Sequence, residues 1–204
     1  LAQAGFSNHQ LKQSDARKLV WSRDASHYRI KPQFTLRAEN DEQIAEILRA
    51  ANQSQTPVTF RSGGSSLSGQ TLGRGIVVDT RTGFSKLLAS ANNTVTAQPG
   101  VTLARVNGHL SKEKSKIGPD PASMIASTIG GAVSNNSSGM TCGTEFNSYA
   151  TIKSAKIIFA DGVTFHTAEP DSDAKLKKLK PALYEELELI RDEIRANPEQ
   201  VEQL

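Results

Sequence analysis

Hydrophobic and polar positions follow two different periods along this chain, and each period predicts a different kind of element. Short runs that alternate in character or concentrate β-branched residues are typical of strands, and they occur at Phe34–Arg37, Pro57–Phe60, Ile76–Asp79 and Thr94–Ala97. Apolar residues three or four positions apart predict helices, and they form three groups: Ile44, Ile47, Leu48 and Ala51; Leu103, Val106 and Leu110; Leu183, Leu187, Ile190 and Ile194. The early part of the chain therefore alternates helix and strand.

Several element boundaries are also readable. Asn40, followed three residues later by a glutamine, is a variant of the capping box and predicts the start of a helix. A short helix is predicted over Leu11–Val20. Ile152–Ala160 and Val163–Phe165 are predicted to pair as a hairpin across an Asp161–Gly162 turn.

The composition is that of a chain that can bury a core of its own. Its 204 residues are 37% hydrophobic with a formal net charge of +3, and no apolar run approaches the roughly 18 residues that a membrane-spanning helix needs. We expect a soluble, cytoplasmic protein, with peripheral association of the full protein at the inner membrane left open. The basic run Lys175–Lys180 fits a solvated linker, so no nucleic-acid partner is expected. A single cysteine, Cys142, excludes an internal disulfide and a multi-cysteine metal site, and no metal is expected.

The segment Arg61–Gln70 follows a predicted strand and consists mostly of glycine and serine. Glycine permits positive φ angles, so that backbone N–H groups can point to one centre, and serine hydroxyls add further donors. Arg61 places a permanent positive charge beside them. We interpret the segment as an anion-binding nest for a phosphate group, with a plain surface turn as the alternative.

A P-loop is a rival interpretation of the same residues. Gly64–Thr71 departs from the P-loop pattern by having Gln70 where the lysine belongs, and Ile76–Asp79 resembles the strand that supplies an acid for magnesium. The lysine must reach the terminal phosphates and a helix must follow directly, which Leu72–Gly75 forbids. Nucleotide hydrolysis is therefore not expected, and the three-glycine dinucleotide fingerprint is absent as well.

A second segment, residues 118–151, is unusually rich in glycine, serine, asparagine and threonine. Two prolines fix a turn from which Asp120 and Ser123 are expected to hydrogen-bond outward. Gly130–Gly131 is expected to open a short helix with free N–H groups, suited to a phosphate or a ligand carbonyl. We interpret the segment as ligand-binding, since the alternative, one long surface loop, is uncommon inside a compact domain.

Five sequence blocks occur in an order that resembles a known family. They are Arg61–Gly69, Gln98–Val101, Pro119–Ser123, Thr128–Gly131 with Asn135–Gly139, and Ala160–Gly162. Their order resembles the FAD-binding domain of the vanillyl-alcohol oxidase and p-cresol methylhydroxylase superfamily. Asp24–Arg29 and Ser138–Thr144 are similar to the D-lactate dehydrogenase and glycolate oxidase branch, especially to large bacterial members with an added iron–sulfur domain.

The resemblance implies an α+β fold, the two-lobed FAD-binding domain of the p-cresol methylhydroxylase type. It implies a helical lead-in over residues 1–30, then the FAD-binding domain over residues 31–168 with its lobes at 31–98 and 99–168. Residues 169–204 would be a linker and the start of a truncated C-terminal helix. Because the chain begins with leucine, we expect a piece of a longer protein, and an iron–sulfur cluster only in the missing part.

The same resemblance implies that FAD is bound noncovalently, with its diphosphate on the first glycine loop and its ends on the second segment. The residues expected to bind it are Arg61, Ser62, Gly63, Gly64, Ser65, Ser66, Gly69, Gln70, Pro119, Asp120, Ser123, Thr128, Gly130, Gly131, Asn135, Ser138, Gly139 and Ile157. No catalytic residue is expected in this chain, because related enzymes place the base in a cap domain beyond it. His27, His109 and His166 are interpreted as histidines that are solvated or hydrogen-bonded within the fold, and Cys142 as a packing residue.

The implied reaction is oxidation of a 2-hydroxy acid, such as D-lactate or glycolate, to the 2-oxo acid, with a hydride passing to flavin N5. The fragment alone would be inactive, and the electron acceptor is not identified. The alternative is a module that carries FAD for electron transfer or assembly without catalysis. A peptidoglycan-precursor reductase with a similar fold would need a nicotinamide site, for which the sequence offers no residues.

Overall fold

The computed structural model describes residues 5–11 and 13–201 of the chain. Helices and strands are mixed along the chain, which confirms the predicted α+β class. The chain divides into two compact units, Leu1–Ile152 with Ile158–Val163, and Lys153–Ile157 with Thr164–Leu204. The lobe and domain boundaries drawn from the sequence stay a prediction.

Among the described residues before the first strand there are two short helices, where the sequence predicted one helix over Leu11–Val20. Helix α1 is Asn8–Leu11 and helix α2 is Asp15–Val20. The predicted helix is wrong because Ser14 has an extended backbone, and its side chain accepts a hydrogen bond from the N–H of Arg17. Such an N-cap marks the start of a new helix.

A three-stranded parallel sheet lies at the centre of the first unit. Its strands are β1 (Phe34–Arg37), β2 (Val58–Arg61) and β3 (Ile76–Asp79), in the order β1-β3-β2. All three strands were predicted, although the prediction placed β2 one residue too early. The central strand β3 is buried along its whole length. The register pairs the last residues of β1 and β2 with the last residue of β3, so two arginines flank one aspartate at the carboxyl edge.

Helix α3 (Asp41–Gln53) covers this sheet and starts where the sequence predicted. The Asn40 side chain accepts a hydrogen bond from the N–H of Gln43 at 2.9 Å. The Gln43 side-chain oxygen in turn accepts from the N–H of Glu39 at 2.9 Å, which completes the cap. The buried apolar core between helix and sheet consists of Phe6, Leu36, Ala38, Ile44, Ile47, Ala51, Ile76, Val78 and Phe84.

A smaller second core lies under an antiparallel hairpin, β4 (Leu87–Ala91) with β5 (Thr94–Ala97), and helix α4 (Leu103–Leu110). Strand β5 and helix α4 were predicted. Strand β4 was not predicted, because its leucines, alanines and serine include no β-branched residue. The turn Asn92–Asn93 has two positive φ values, 51° and 57°, as a two-residue hairpin of type I′ requires.

The late hairpin is shorter than predicted. Strands β6 (Lys156–Ile158) and β7 (Thr164–His166) have three residues each. Its turn lies at the predicted place, but only Gly162 has a positive φ, and its N–H donates to the carbonyl of Phe159 at 2.8 Å. The connection is thus longer than a two-residue turn, and residues 152–155 stay outside the strand.

Two short helices, α5 (Ile129–Ser134) and α6 (Ser148–Thr151), lie between α4 and the late hairpin. Among the described residues, the hairpin is followed by the second-unit helices α7 (Ser172–Leu179), α8 (Pro181–Ala196) and α9 (Pro198–Val201). The predicted apolar face of α8 lies within that helix, but each of its four residues is at least 40% exposed. The buried residue of α8 is Tyr184, whose hydroxyl donates to Asp173 at 2.8 Å. Across residues 5–11 and 13–201, no helix has the length and apolar character needed to cross a membrane.

Candidate cofactor site

The glycine loop begins where β2 ends, at the carboxyl edge of the parallel sheet. Gly64 and Gly69 have φ values of +67° and +76°, a conformation that side chains with a Cβ rarely adopt. Within the described part of the chain, the N–H groups of Gly63, Gly64, Ser65 and Ser66 donate no hydrogen bond. Four neighbouring donors without a partner are what an anion-binding nest requires.

Arg61 lies beneath this loop. A Cβ built on Gly64 would come within 2.6 Å of Arg61 Nη2, and Arg61 Nη1 donates to Thr71 Oγ1 at 3.2 Å. Burial lowers the pKa of the Arg61 guanidinium, while Asp24 and Asp79 act in the opposite direction. The guanidinium stays charged at neutral pH. The loop of unpaired N–H groups therefore lies, at Gly64, against a half-buried positive charge.

Asp79, the last residue of β3, is paired with neighbouring side-chain and backbone groups. Asp79 Oδ2 lies 3.3 Å from Arg37 Nε and accepts from the Thr82 hydroxyl at 3.2 Å. Its Oδ1 accepts from the N–H of Arg81 at 2.9 Å. These contacts occupy the carboxylate that the P-loop interpretation would assign to magnesium.

The second small-residue segment packs directly against the glycine loop. A Cβ built on Gly63 would overlap the carbonyl oxygen of Ala126. A Cβ built on Gly131 would lie 3.3 Å from Ser62 Oγ. The two segments are separate in the sequence, and the fold brings them into contact.

Three serine hydroxyls connect the two segments. Ser65 Oγ lies 3.3 Å from Ser127 Oγ, which lies 2.5 Å from Ser123 Oγ. The N–H of Ser127 also donates to the carbonyl of Ser123 at 2.8 Å, so the backbone folds back on itself here. The expectation that Ser123 bonds outward is wrong, because this turn directs its hydroxyl to Ser127.

Helix α5 (Ile129–Ser134) starts at the predicted place, with Thr128 as its N-cap, but its first N–H groups are not free. Those of its first two residues donate to the carbonyls of Val101 and Pro99, each at 2.9 Å. That of Gly131 donates to Thr128 Oγ1 at 3.4 Å. The expectation of free donors at this helix start is wrong, because a neighbouring backbone segment supplies acceptors to groups that a helix leaves unpaired.

Asp120 closes the second segment instead of pointing outward. Its carboxylate accepts from the hydroxyl and the N–H of Thr141, and Lys116 Nζ lies 3.9 Å away. The hydroxyl of Thr141 is the main cause that lowers the pKa of Asp120. Gly139 packs so closely that a Cβ there would overlap the Asp120 carboxylate. The predicted outward bonding is therefore wrong, because Thr141 folds back onto this carboxylate.

The other predicted site residues differ in accessibility. Ser66 Oγ accepts from the N–H of Gln70 and donates to its side-chain oxygen, both at 3.2 Å, and so shapes the loop. Exposed members of the predicted set are Gln70, Asn135, Ser138 and Ile157, whereas Pro119 is buried. Ile157 belongs to β6 in the second unit.

Cys142 is buried, and its Sγ lies 3.3 Å from the carbonyl oxygen of Gly143. This environment agrees with a packing role.

The site also includes Asp24, Thr71 and Ser127, which were not predicted from the sequence. Asp24 and Ser26 form the Asp-x-Ser pattern of a local side-chain turn, and Thr71 ends the run that resembles a P-loop. These two sequence patterns could have indicated Asp24 and Thr71. Ser127 carries no such signal, because its contact with Ser65 joins residues 62 positions apart.

A strand that leads into a loop of free donors, beside a half-buried arginine, is the arrangement that suits a phosphate-bearing cofactor. Residues 32–168, more than half of the chain, match the family model described as FAD binding domain. The chain belongs to this family. This confirms the resemblance to the vanillyl-alcohol oxidase and p-cresol methylhydroxylase superfamily and identifies the cofactor as FAD.

Two relatives are similar over a stretch of comparable length. The chain is 32% identical over 131 residues to the glycolate oxidase subunit GlcD of Bacillus subtilis, covering 62% of this chain and 28% of that protein. It is 30% identical over 134 residues to D-lactate dehydrogenase of Archaeoglobus fulgidus, covering 62% and 29%. The chain thus spans less than a third of either relative.

A solved structure of alkyldihydroxyacetonephosphate synthase shares the fold, with a TM-score of 0.71 at 20% identity, over 82% of this chain and 34% of that one.

Proposed function

We propose that this chain is the FAD-binding part of an oxidoreductase that oxidises a 2-hydroxy acid, such as D-lactate or glycolate, to the 2-oxo acid. The substrate class is supported by the two relatives, a glycolate oxidase subunit and a D-lactate dehydrogenase, since both acids have a hydroxyl on the carbon beside the carboxylate. The FAD family match supports the redox chemistry.

The residues present fit FAD. The observation that carries this assignment is the row of four unpaired N–H groups from Gly63 to Ser66 above the Arg61 guanidinium. A diphosphate has the charge and the acceptor oxygens to satisfy both. We assign the diphosphate to this loop and to Ser62, which lies against Gly131 in the second segment.

Other predicted residues are assigned a supporting role. Ser123 bonds to Ser127, whose hydroxyl lies beside Ser65 of the loop. Thr128 caps α5 at Gly131, and Gly130 bonds to the backbone of Pro99. Asp120 bonds to Thr141, and Gly139 packs against the Asp120 carboxylate. Exposed Gln70, Asn135 and Ser138 remain candidates for direct contact with the ends of FAD.

The chemistry that FAD supplies when bound is acceptance of a hydride at flavin N5. The residues of this chain bind and orient the cofactor, and we assign none of them to proton transfer.

The test is steady-state oxidation by the full-length protein of a panel of D- and L-2-hydroxy acids with an artificial electron acceptor. We expect turnover of D-lactate or glycolate and none of 3-hydroxybutyrate, which lacks a hydroxyl beside the carboxylate. Arg61→Met should weaken FAD binding and, at subsaturating FAD, lower turnover in parallel. Arg74→Met is the matched control, because Arg74 is an exposed arginine in the same loop region. Bound FAD without turnover of any acid would instead indicate a FAD-carrying module.

A further inference from the structure

The segment Asp24–Tyr28, here called the N-terminal brace, contacts the glycine loop although it precedes the residues that match the family model. The N–H of Ala25 donates to the carbonyl oxygen of Gly64 at 3.1 Å. A trans peptide has its C=O and its N–H on opposite sides, so this bond directs the N–H of Ser65 away from the brace. The brace therefore orients one of the unpaired donors of the loop.

Within the brace, Asp24 is joined to Arg61 through one hydroxyl group. Thr71 Oγ1 donates to Asp24 Oδ2 at 3.0 Å and accepts from Arg61 Nη1 at 3.2 Å. A hydroxyl has one proton, so its donation to Asp24 leaves its lone pairs for Arg61. The other oxygen of Asp24 accepts from the N–H and the hydroxyl of Ser26, at 2.9 and 2.5 Å. Both ends of the carboxylate are thereby fixed.

We propose that Asp24 is a positioning residue of the FAD site: through Thr71 it fixes the Arg61 guanidinium beneath the glycine loop, where that charge meets the FAD diphosphate. This inference rests on the proposed function, because it assumes that the loop and Arg61 bind FAD. We assign Asp24 no contact with the cofactor, since a carboxylate beside a diphosphate would repel it.

Charge repulsion alone predicts the opposite effect of removing Asp24. A negative charge near an anion site weakens anion binding, so its neutralisation would strengthen FAD binding. Asparagine has the shape of aspartate but no charge and only one acceptor oxygen. With that oxygen on Ser26 it meets Thr71 as an N–H donor, so the charge-assisted bond from the Thr71 hydroxyl to the carboxylate is lost. The direction of the change in FAD affinity therefore separates positioning from charge repulsion.

The experiment is a titration of the chain with FAD, followed by flavin fluorescence, for the wild type and Asp24→Asn. We expect the variant to bind FAD more weakly, on the order of tenfold, as for one lost hydrogen bond to a charged group. Asp15→Asn is the matched control, because Asp15 is an exposed aspartate that pairs with Lys31 at the surface. Its affinity for FAD should equal that of the wild type.

A double-variant cycle separates positioning from a general loss of stability. In an Arg61→Met background, Asp24→Asn should change FAD affinity by about twofold or less, since the group that it positions is gone. A merely structural role would produce the same loss in both backgrounds, and that result would overturn the proposal. Unchanged or tighter binding of FAD by Asp24→Asn alone would overturn it as well.

Variants of Thr71 give a second test of the positioning role, which remains available if Asp24→Asn does not fold. Thr71→Val removes the bridging hydroxyl and should weaken FAD binding as Asp24→Asn does, whereas Thr71→Ser retains the hydroxyl and should restore wild-type affinity. Equal affinities of the two variants would overturn the proposal. A wild-type chain that binds no FAD at all would contradict the assignment of the loop to FAD, which is a different failure.

Discussion

Gly63 lies against the carbonyl oxygen of Ala126, so closely that a Cβ on Gly63 would overlap it. The contact joins the glycine loop after β2 to the turn before α5. A glycine is required here by close approach of two backbones, and only the tertiary structure reveals that neighbour.

Replacing Gly63 with alanine should force the two segments apart. We expect a loss of about 1–3 kcal/mol in the free energy of unfolding, as for an overpacked site, together with weaker FAD binding. Gly108→Ala is the matched control, since Gly108 lies within α4 and a Cβ there would meet no atom within 4 Å. That variant should gain up to about 1 kcal/mol from helix propensity. Denaturant unfolding measures the free energy of unfolding of both variants. Equal values for Gly63→Ala and Gly108→Ala would contradict the close approach of the two backbones at Gly63.

Gly64→Val should weaken FAD binding more than folding. The new side chain would meet the flexible end of Arg61, 2.6 Å from its Cβ, at a φ of +67°. The left-handed backbone costs roughly 1–2 kcal/mol for a residue with a Cβ, and displacement of the guanidinium adds a loss of anion binding. Thermal midpoints without FAD, compared with FAD titrations, test this. An unfolded variant would make Gly64 a structural turn residue.

Asp24 should make stability depend on pH in the acid range. Burial alone would raise its pKa, but hydrogen bonds from Ser26 and Thr71 lower the pKa below its usual value. A carboxylate with a lowered folded-state pKa stabilises the fold above its unfolded pKa, about 3.9, and loses that contribution as pH falls through the folded value. Thermal midpoints of the wild type and Asp24→Asn should therefore converge below about pH 4. A constant difference down to acid pH would contradict this assignment.

Gln13 protects the free edge of β1. Its side-chain Nε2 donates to the carbonyl of Thr35 at 3.0 Å, and its Oε1 accepts from the N–H of Thr35 at 2.9 Å. Gln13→Ala should lower the free energy of unfolding by about 1 kcal/mol or more, since it leaves both backbone groups unpaired. Gln33→Ala, at an exposed glutamine next to the same strand, is the control and should be nearly neutral. Equal losses in the two variants would show that the edge contact contributes nothing.

FAD should be released from the holoenzyme without breaking a covalent bond. Ser65 follows the paired glycines, where covalently flavinylated members of the superfamily often have a histidine, and serine cannot form that link. Cys142 is the remaining candidate for attachment, and its side chain is buried. Acid precipitation should leave all the flavin in the supernatant. Flavin that stays in the pellet, and is freed by Cys142→Ser, would make Cys142 an attachment site.

The sequence by itself determined the elements whose cause is local. The apolar run of β3 and the Asn40 cap with the apolar face of α3 act within a few residues, so a linear pattern records them. The order of the glycine-rich blocks likewise determined the family, because each block is a short local motif. Where an element was predicted wrongly, one local signal opposed another, as the Ser14 cap opposes the helix predicted across it.

Only the tertiary structure decided which donors and acceptors are free. Whether the first N–H groups of α5 can bind a ligand depends on carbonyls of residues 99–101, and the direction of Ser65 depends on Ala25, 40 positions earlier. The link from Asp24 through Thr71 to Arg61 likewise joins residues up to 47 positions apart. A hydrogen bond is satisfied by whichever partner the fold brings within about 3 Å, and no linear pattern encodes that distance between remote residues.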